Sequence, residues 1–361
     1  MKSYLLSFIF GVAIVCLALS VGSPGFAQQD LIEGAKKEGE VVVWVHTMAN
    51  PNQVIKPFEK KYPFLTVKFW DSRSATMIAR MIEEAKAGRY SPDVVTFGAR
   101  NWPELLEAGL LKEQEWPAHV NKWPYQPKHG YWRLHAASLR LPTYNRRRIS
   151  PSDAPKSWED LKDRKWRGKS VMSTSGGDSL LLFGYLWREK GEKINWEKAK
   201  AYWGEVIDNT KPRVVRGFSA PNELHAAGEF PLFLLNSTNV ALRMIEAGAP
   251  ISIVPIKETI GSSWGISIPK TVPHPNAAKL FVNYLLSREG LLNYANANLA
   301  PVYDPEVAKK AKANRRLKEL GITWYPAPQD IFTAELVRES VTWWGNKLGV
   351  RRGRKGKKTR R

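Results

Sequence analysis

Cysteine is almost absent from this 361-residue chain: the single one, Cys16, lies inside an apolar run near the amino terminus. Beyond that run there is no thiol, which excludes disulfide stapling, thiol catalysis and thiolate metal sites there. Histidine is scarce as well, at positions 46, 119, 129, 135, 225 and 274 only, and none falls in an H-E-x-x-H or H-x-H pattern. A zinc-hydrolase signature is therefore missing, as are a Walker A loop and a G-x-G-x-x-G dinucleotide fingerprint. Acidic residues are outnumbered, 34 against 55 basic, for a formal net charge of +21. No sequence repeat at the periods of solenoids or propellers is seen.

What is present begins with an export pattern. Lys2 precedes an apolar run at 4–21, and small Gly25 and Ala27 stand at the minus-three and minus-one places of a cleavage site. The spacing predicts a secretory signal peptide over 1–27, cut after Ala27, with Pro24 and Gly25 breaking the apolar helix. Val15 before Cys16 is not the small residue that lipid attachment requires. Export without a cysteine framework suits the bacterial periplasm. At the other end, R-R-G-R-K-G-K-K-T-R-R (351–361) carries eight positive charges and reads as a disordered, solvated appendage with no specific nucleic-acid role. With Lys2 and that tail set aside, the body keeps +12, which favours anionic partners in a general way.

Between these ends the hydrophobic pattern alternates. Strands are predicted at 40–45, 65–70 and 92–97, with helices at 31–39, 53–62, 75–87 and 104–108 around them. Residues 134–142 read as extended. A second unit follows, with strands at 170–174, 212–215, 230–235, 251–256 and 265–270, and helices at 179–187, 196–206, 222–228, 240–248, 276–287, 306–320 and 330–348. The expectation is an α/β protein of two lobes, since 361 residues exceed one ordinary core. In open α/β sheets ligands bind beyond the carboxyl ends of strands. The small polar residues placed there are Thr47, Ser72, Arg73, Thr96, Gly98, Ser173, Ser175, Gly176, Gly177, Asn236, Ser237 and Trp264. The stretch S-V-M-S-T-S-G-G-D-S (170–179) is the most suggestive: a strand, a glycine loop and a helix start, whose free N–H groups suit an anion. Asp178 is the only carboxylate placed near these loops, and no nucleophile–base pair accompanies it. The set reads as a binding site without chemistry, with no metal and no cofactor.

Several stretches together resemble a known family: A-K-K-E-G-E-V-V-V-W (35–44), F-E-K-K-Y-P (58–63), S-P-D-V-V (91–95), A-P-K-S-W-E-D-L (154–161), K-W-R-G-K (165–169), A-A-G-E-F-P-L (226–232) and P-K-T-V-P-H-P-N-A-A-K-L-F-V-N-Y-L-L-S-R-E-G (269–290). The chain is similar to periplasmic solute-binding proteins of ABC importers, in the ferric-ion-binding-like branch of the type II binding fold. That resemblance implies two open α/β sheets joined by crossover segments, with the ligand cleft between them. It also implies a monomer that delivers its ligand to an inner-membrane ABC permease and its ATPase. The expected division is a leader (1–27), the first part of lobe one (28–140), lobe two (141–262), a return to lobe one with the C-terminal helices (263–349), and the tail (350–361). The paired tyrosines of classical ferric binders are replaced by Asn236, Ser237, Thr238 and Asn239. Fe(III) needs anionic oxygen donors, so the expected ligand is a small organic anion or polar organic solute. A ferric or chelated-metal binder is the alternative within the family, and an enzyme on the same bilobal fold is the alternative outside it.

Overall fold

The computed structural model describes residues 24–46 and 48–349. Thr47, residues 1–23 of the expected leader and the basic tail at 350–361 lie outside the described residues. The first described helix is Pro24–Glu38.

Strands β1 (Glu40–Val45), β2 (Thr66–Asp71) and β3 (Val94–Gly98) form one parallel unit, with β1 in the centre. Val41, Val43, Val45, Val94 and Val95 are fully buried, which is why these runs are apolar without strict alternation. Helix Ser74–Lys86 covers the unit with Met77, Ile78 and Met81, spaced to fall on one face. The second parallel unit is β5 (Ser170–Ser173), flanked by β6 (Arg213–Val215) and β7 (Leu232–Ser237). Two long strands join the units: β4 (Arg133–Asn145) and β9 (Glu258–Ser267). The whole sheet runs β2-β1-β3-β9-β4-β7-β5-β6, with β8 (Ile251–Ile253) on β4 and β10 (Thr323–Pro326) on β9.

Strand β4 changes partners along its length. Up to Leu139 it pairs with β9, and from Arg140 it pairs with β7 and then β8. The result is the expected bilobal α/β architecture, with the two halves sharing this pair of strands. Strand β9 is longer than predicted and earlier in the chain. Trp264, expected beyond a strand end, lies within it with Ser262 and Ser263, and Asn236, Ser237 and Gly98 likewise belong to strands.

Beyond residue 263, helix Pro275–Leu285 packs Phe281 and Tyr284 against Phe58 of the first half. The last helix, Ala334–Lys347, packs on the second half. Trp344 meets Trp203 edge to face at 5.6 Å, and Lys347 pairs with Asp208 at 2.7 Å. The expected helix over 306–320 is interrupted, as Pro305–Ala308 and Lys312–Glu319.

Candidate functional site

The floor of the site is set by strand register. Residues directly opposite on adjacent strands share a sheet face, as do residues two apart on one strand. Ser138 of β4 lies opposite Ser262 of β9, Ala136 opposite Trp264, Trp264 opposite Gly98 of β3, and Arg140 opposite Ser237 of β7. One face of the crossing strands therefore carries Gly98, Trp264, Ser262, Ser138, Arg140 and Ser237. β9 is not recognisable as a strand because its glycines and hydroxyls fall on both faces: Ser262 beside Ile260 and Ile266 on this one, and Thr259, Gly261, Ser263, Gly265 and Ser267, all buried, on the other.

Arg140 is the centre of this face. It is buried to 6 % exposure, its Nη1 donates to Ser138 Oγ at 2.9 Å, and its guanidinium lies 5.1 Å from the Phe218 ring centroid. The Ser138 hydroxyl donates onward to Asn239 Oδ1 at 3.1 Å, and Ser237 Oγ donates to the same oxygen at 2.5 Å. Asp178 Oδ1 lies 3.8 Å from Arg140 Nη2, an ion pair too long for a hydrogen bond. Neither that carboxylate oxygen nor Arg140 Nε has a hydrogen-bond partner, although both are buried. Burial lowers the Arg140 pKa from its ordinary value, Asp178 counters that, and Arg100 adds to it. Arg100 follows β3, is half-buried, and stands close to the loop of the other half. A Cβ built on Gly177 would lie 3.8 Å from Arg100 Nη1 and 3.1 Å from Val341 Cγ2. A Cβ there would thus meet Arg100 at ordinary contact distance and Val341 more tightly.

The glycine loop satisfies much of its own bonding. Ser173 Oγ donates to the Gly217 carbonyl at 2.6 Å and accepts from Ser175 N at 3.0 Å. Gly176 O accepts from Ser179 N. Ser340, from the last helix, accepts from Leu181 N at 3.2 Å and donates to Gly177 O at 2.7 Å, so one of the helix-start donors is already met. On the facing half, His46 Nδ1 lies 3.1 Å from the Ser72 carbonyl, and burial pushes the imidazole pKa down. Ser72 is half-buried and Arg73 is exposed at the start of helix Ser74–Lys86.

Of the residues expected at the site, Gly98, Trp264 and Ser237 lie on the crossing-strand face, and Ser173, Ser175, Gly176 and Gly177 form the adjoining loop. Asn236 faces the other way. It exchanges two hydrogen bonds with Asn222, of 2.7 and 2.8 Å, and donates to Thr143. Arg100, Ser138 and Arg140 were not anticipated. The signal for Arg140 was a lone arginine in the otherwise apolar L-R-L of an extended run.

Features that resemble catalytic ones are occupied by structure. Residues 261–265 read G-S-S-W-G, a formal G-x-S-x-G. Ser263 sits within β9, on no strand-to-helix turn, and its hydroxyl meets Tyr303 Oη at 2.7 Å in the core. The His274–Asp93 pair, at 2.8 Å, lies where β3 begins, and Asp93 also accepts from Val42 N. Among the described residues no three His, Cys, Asp or Glu side chains converge as metal donors, and no helix is long and apolar enough to cross a membrane. A separate surface cavity, lined by Met81, Tyr90, Leu110 and Pro269, also lies beyond the starting end of β3, remote from Arg140.

Comparison with known proteins follows the same line. The family described as bacterial extracellular solute-binding protein matches residues 53–317. An uncharacterized protein of Haemophilus influenzae is 30% identical over 293 residues, 76% of this chain and 81% of that protein. The Fe(3+)-binding periplasmic protein of Serratia marcescens is 38% identical over 77 residues, which is only 23% of its length. Among solved structures, the substrate-binding protein of an Agrobacterium tumefaciens ABC transporter superposes with a TM-score of 0.71 at 17% identity, covering 87% of this chain and 96% of that one. AfuA of Actinobacillus pleuropneumoniae, with fructose-6-phosphate bound, gives 0.68 at 20% identity, covering 87% and 99%. The Trichodesmium protein IdiA (FutA), in complex with iron and citrate, gives 0.67 at 18%, covering 86% and 99%. At these identities the structural likeness establishes the fold.

Proposed function

The chain belongs to the bacterial extracellular solute-binding protein family, and from that membership we propose that its cleft captures a small organic anion or polar organic solute in the periplasm. It is a receptor of the ABC-importer type, in a family of transport proteins and not of enzymes. In our reading a cleaved leader (1–27) sends it to the periplasm, and it works there as a monomer, handing its solute to an inner-membrane permease driven by a separate ATPase. The lobes divide near Arg140 in β4 and near Ser262 in β9.

The observation that carries the ligand reading is the incompletely bonded Arg140, buried at the crossing of the two halves. A buried guanidinium with an unused donor is costly unless a partner arrives. We assign the solute to the space bounded by Gly98, Trp264, Ser237 and the 173–177 loop, with Ser72 and Arg73 on the facing rim; Thr47 stays in the proposed ligand set on its sequence position alone. Asn236 supports the floor from behind. The neighbours are consistent with this class: their ligands include a sugar phosphate, citrate with iron, and agropinic acid.

Ferric iron has specific support as a second reading, because several of the similar proteins bind it. The donors argue against it. Guanidinium groups repel a trivalent cation, and the hydroxyls and amides around them do not supply the anionic oxygens it requires. Mass spectrometry of solute released from the natively purified protein tests the proposal. A small organic anion or polar organic compound is the expected result. Stoichiometric iron as the sole bound species would replace that reading with the ferric one, and turnover of a released compound would support the enzyme.

A further inference from the structure

Resting on the cleft being the solute site, we propose that Arg100 and Arg140 form a two-sided guanidinium clamp, and that Asp178 sets the clamp for a singly charged head, a carboxylate. The two arginines approach from different parts of the fold. Arg100 comes from the turn after β3, and Arg140 from the crossing strand. Adjacent residues of the glycine loop touch both: Gly177 lies beside Arg100, and Asp178 beside Arg140 at 3.8 Å.

The charge count fixes the class. Two guanidinium groups against one carboxylate leave one positive charge uncompensated. Asp178, only 3 % exposed, cannot be screened by water as the rim charges are. Asp71 and Arg73 at that rim are exposed and of opposite sign. The bonding count agrees. Arg140 Nε and Asp178 Oδ1 are buried without hydrogen-bond partners. Among the described residues, Arg100 forms no ion pair and donates no hydrogen bond to the protein. A carboxylate accepts paired N–H donors from a guanidinium edge and brings the local charge to zero. A dianionic phosphoryl head would leave a negative excess in a partly desolvated site, where unbalanced charge is expensive. The Phe218 ring lies 5.1 Å from the Arg140 guanidinium, a cation–π contact that uses none of its N–H donors.

The test is calorimetric titration of the full mature chain, stripped of bound solute, with probes matched in skeleton: D-gluconate, D-glucose 6-phosphate and D-glucose, then D-glycerate, sn-glycerol 3-phosphate and glycerol. The expected order is carboxylate over phosphate ester by about tenfold or more, with neutral probes weakest. Asp178→Asn raises the local charge by one and is expected to invert the order. Arg100→Gln is expected to weaken the carboxylate about tenfold or more. Because Arg100 is half-exposed, that variant keeps the test decisive should Arg140→Gln fail to fold. Preference for the phosphate ester or the neutral probe in the wild type, or an unchanged order in Asp178→Asn, overturns the clamp and leaves the receptor reading intact. If no probe binds, the charge of the solute released from the native protein decides in the same way. No probe bound and no solute released would overturn the receptor reading itself.

Discussion

Asn236 and Ser237 are neighbours on one strand, and they belong to two polar clusters of opposite character. Behind the strand, Asn236, Asn222, Thr143 and His225 close on themselves. The two amides pair reciprocally, Asn236 also donates to Thr143, the Thr143 hydroxyl meets His225 Nε2 at 3.1 Å, and His225 Nδ1 donates to the Phe230 carbonyl at 2.7 Å. In front of it, Ser237, Ser138, Arg140 and Asp178 form a chain with loose ends. Both clusters are buried, and burial alone does not separate them. Bonding does. A closed network fixes the packing of one conformation, whereas an open one has donors and acceptors left for a visitor.

The contrast is most strongly tested by acid. Burial pushes the His225 imidazole down to about 4 and that of His135, in β4, to about 3. Below their ordinary values near 6.5 the unfolded chain takes up protons that the folded chain refuses, so stability falls as pH drops. Between about pH 6.5 and 4.5 the two rings together account for a loss on the order of 5 kcal/mol. Urea unfolding across that range should show it, and His225→Gln should remove about half. A flat stability profile would mean that these rings find proton-accepting partners.

Breaking the closed cluster should cost folding, not affinity. Asn236→Leu strands the Asn222 amide and is expected to destabilise by about 2–3 kcal/mol with the dissociation constant of the released solute unchanged. A large affinity loss in a well-folded variant would return Asn236 to the ligand set. The open cluster should behave in reverse. Arg100→Gln is expected to shift stability by no more than about 0.5 kcal/mol, as a surface change does, while weakening the solute about tenfold. Equal effects on both quantities would erase the distinction. The smallest change expected is in Gly177→Ala. Its Cβ asks Val341 for a few tenths of an ångström and reaches Arg100 only at ordinary contact distance, so thermal unfolding should report a loss near or below about 1 kcal/mol.

The alternating units at 40–98 and 170–237 were legible because buried parallel strands are apolar runs and their helices carry a periodic face. The bilobal fold follows from those runs and from the family-like stretches together. Strand β9 was not legible, since E-T-I-G-S-S-W-G-I-S mixes glycine and hydroxyls with apolar residues. Thr259, Ser263 and Ser267 are nevertheless fully buried, their hydroxyls bonded within the protein. β10, T-W-Y-P, is short and proline-ended. The glycine loop was conspicuous in sequence, but its dependence on Ser340 joins residues 163 positions apart. The pairing of Arg100 with Arg140 is invisible for a similar reason: nothing local in either segment announces the other.

The change of partners within β4 has a kinetic consequence. Arg140 sits where the strand passes from one half to the other, so any turning of the halves about these strands leaves it nearly in place. Arg100 and the glycine loop lie off that axis, so in the proposed receptor such a turning would move them. Arg140 therefore offers the same first contact whether the cleft is open or shut, and removing it should chiefly slow association. Arg100 adds its contact only once the halves have closed, so its loss should chiefly shorten the residence time. Capture and retention are thus divided between two arginines, one at the pivot and one on the arm.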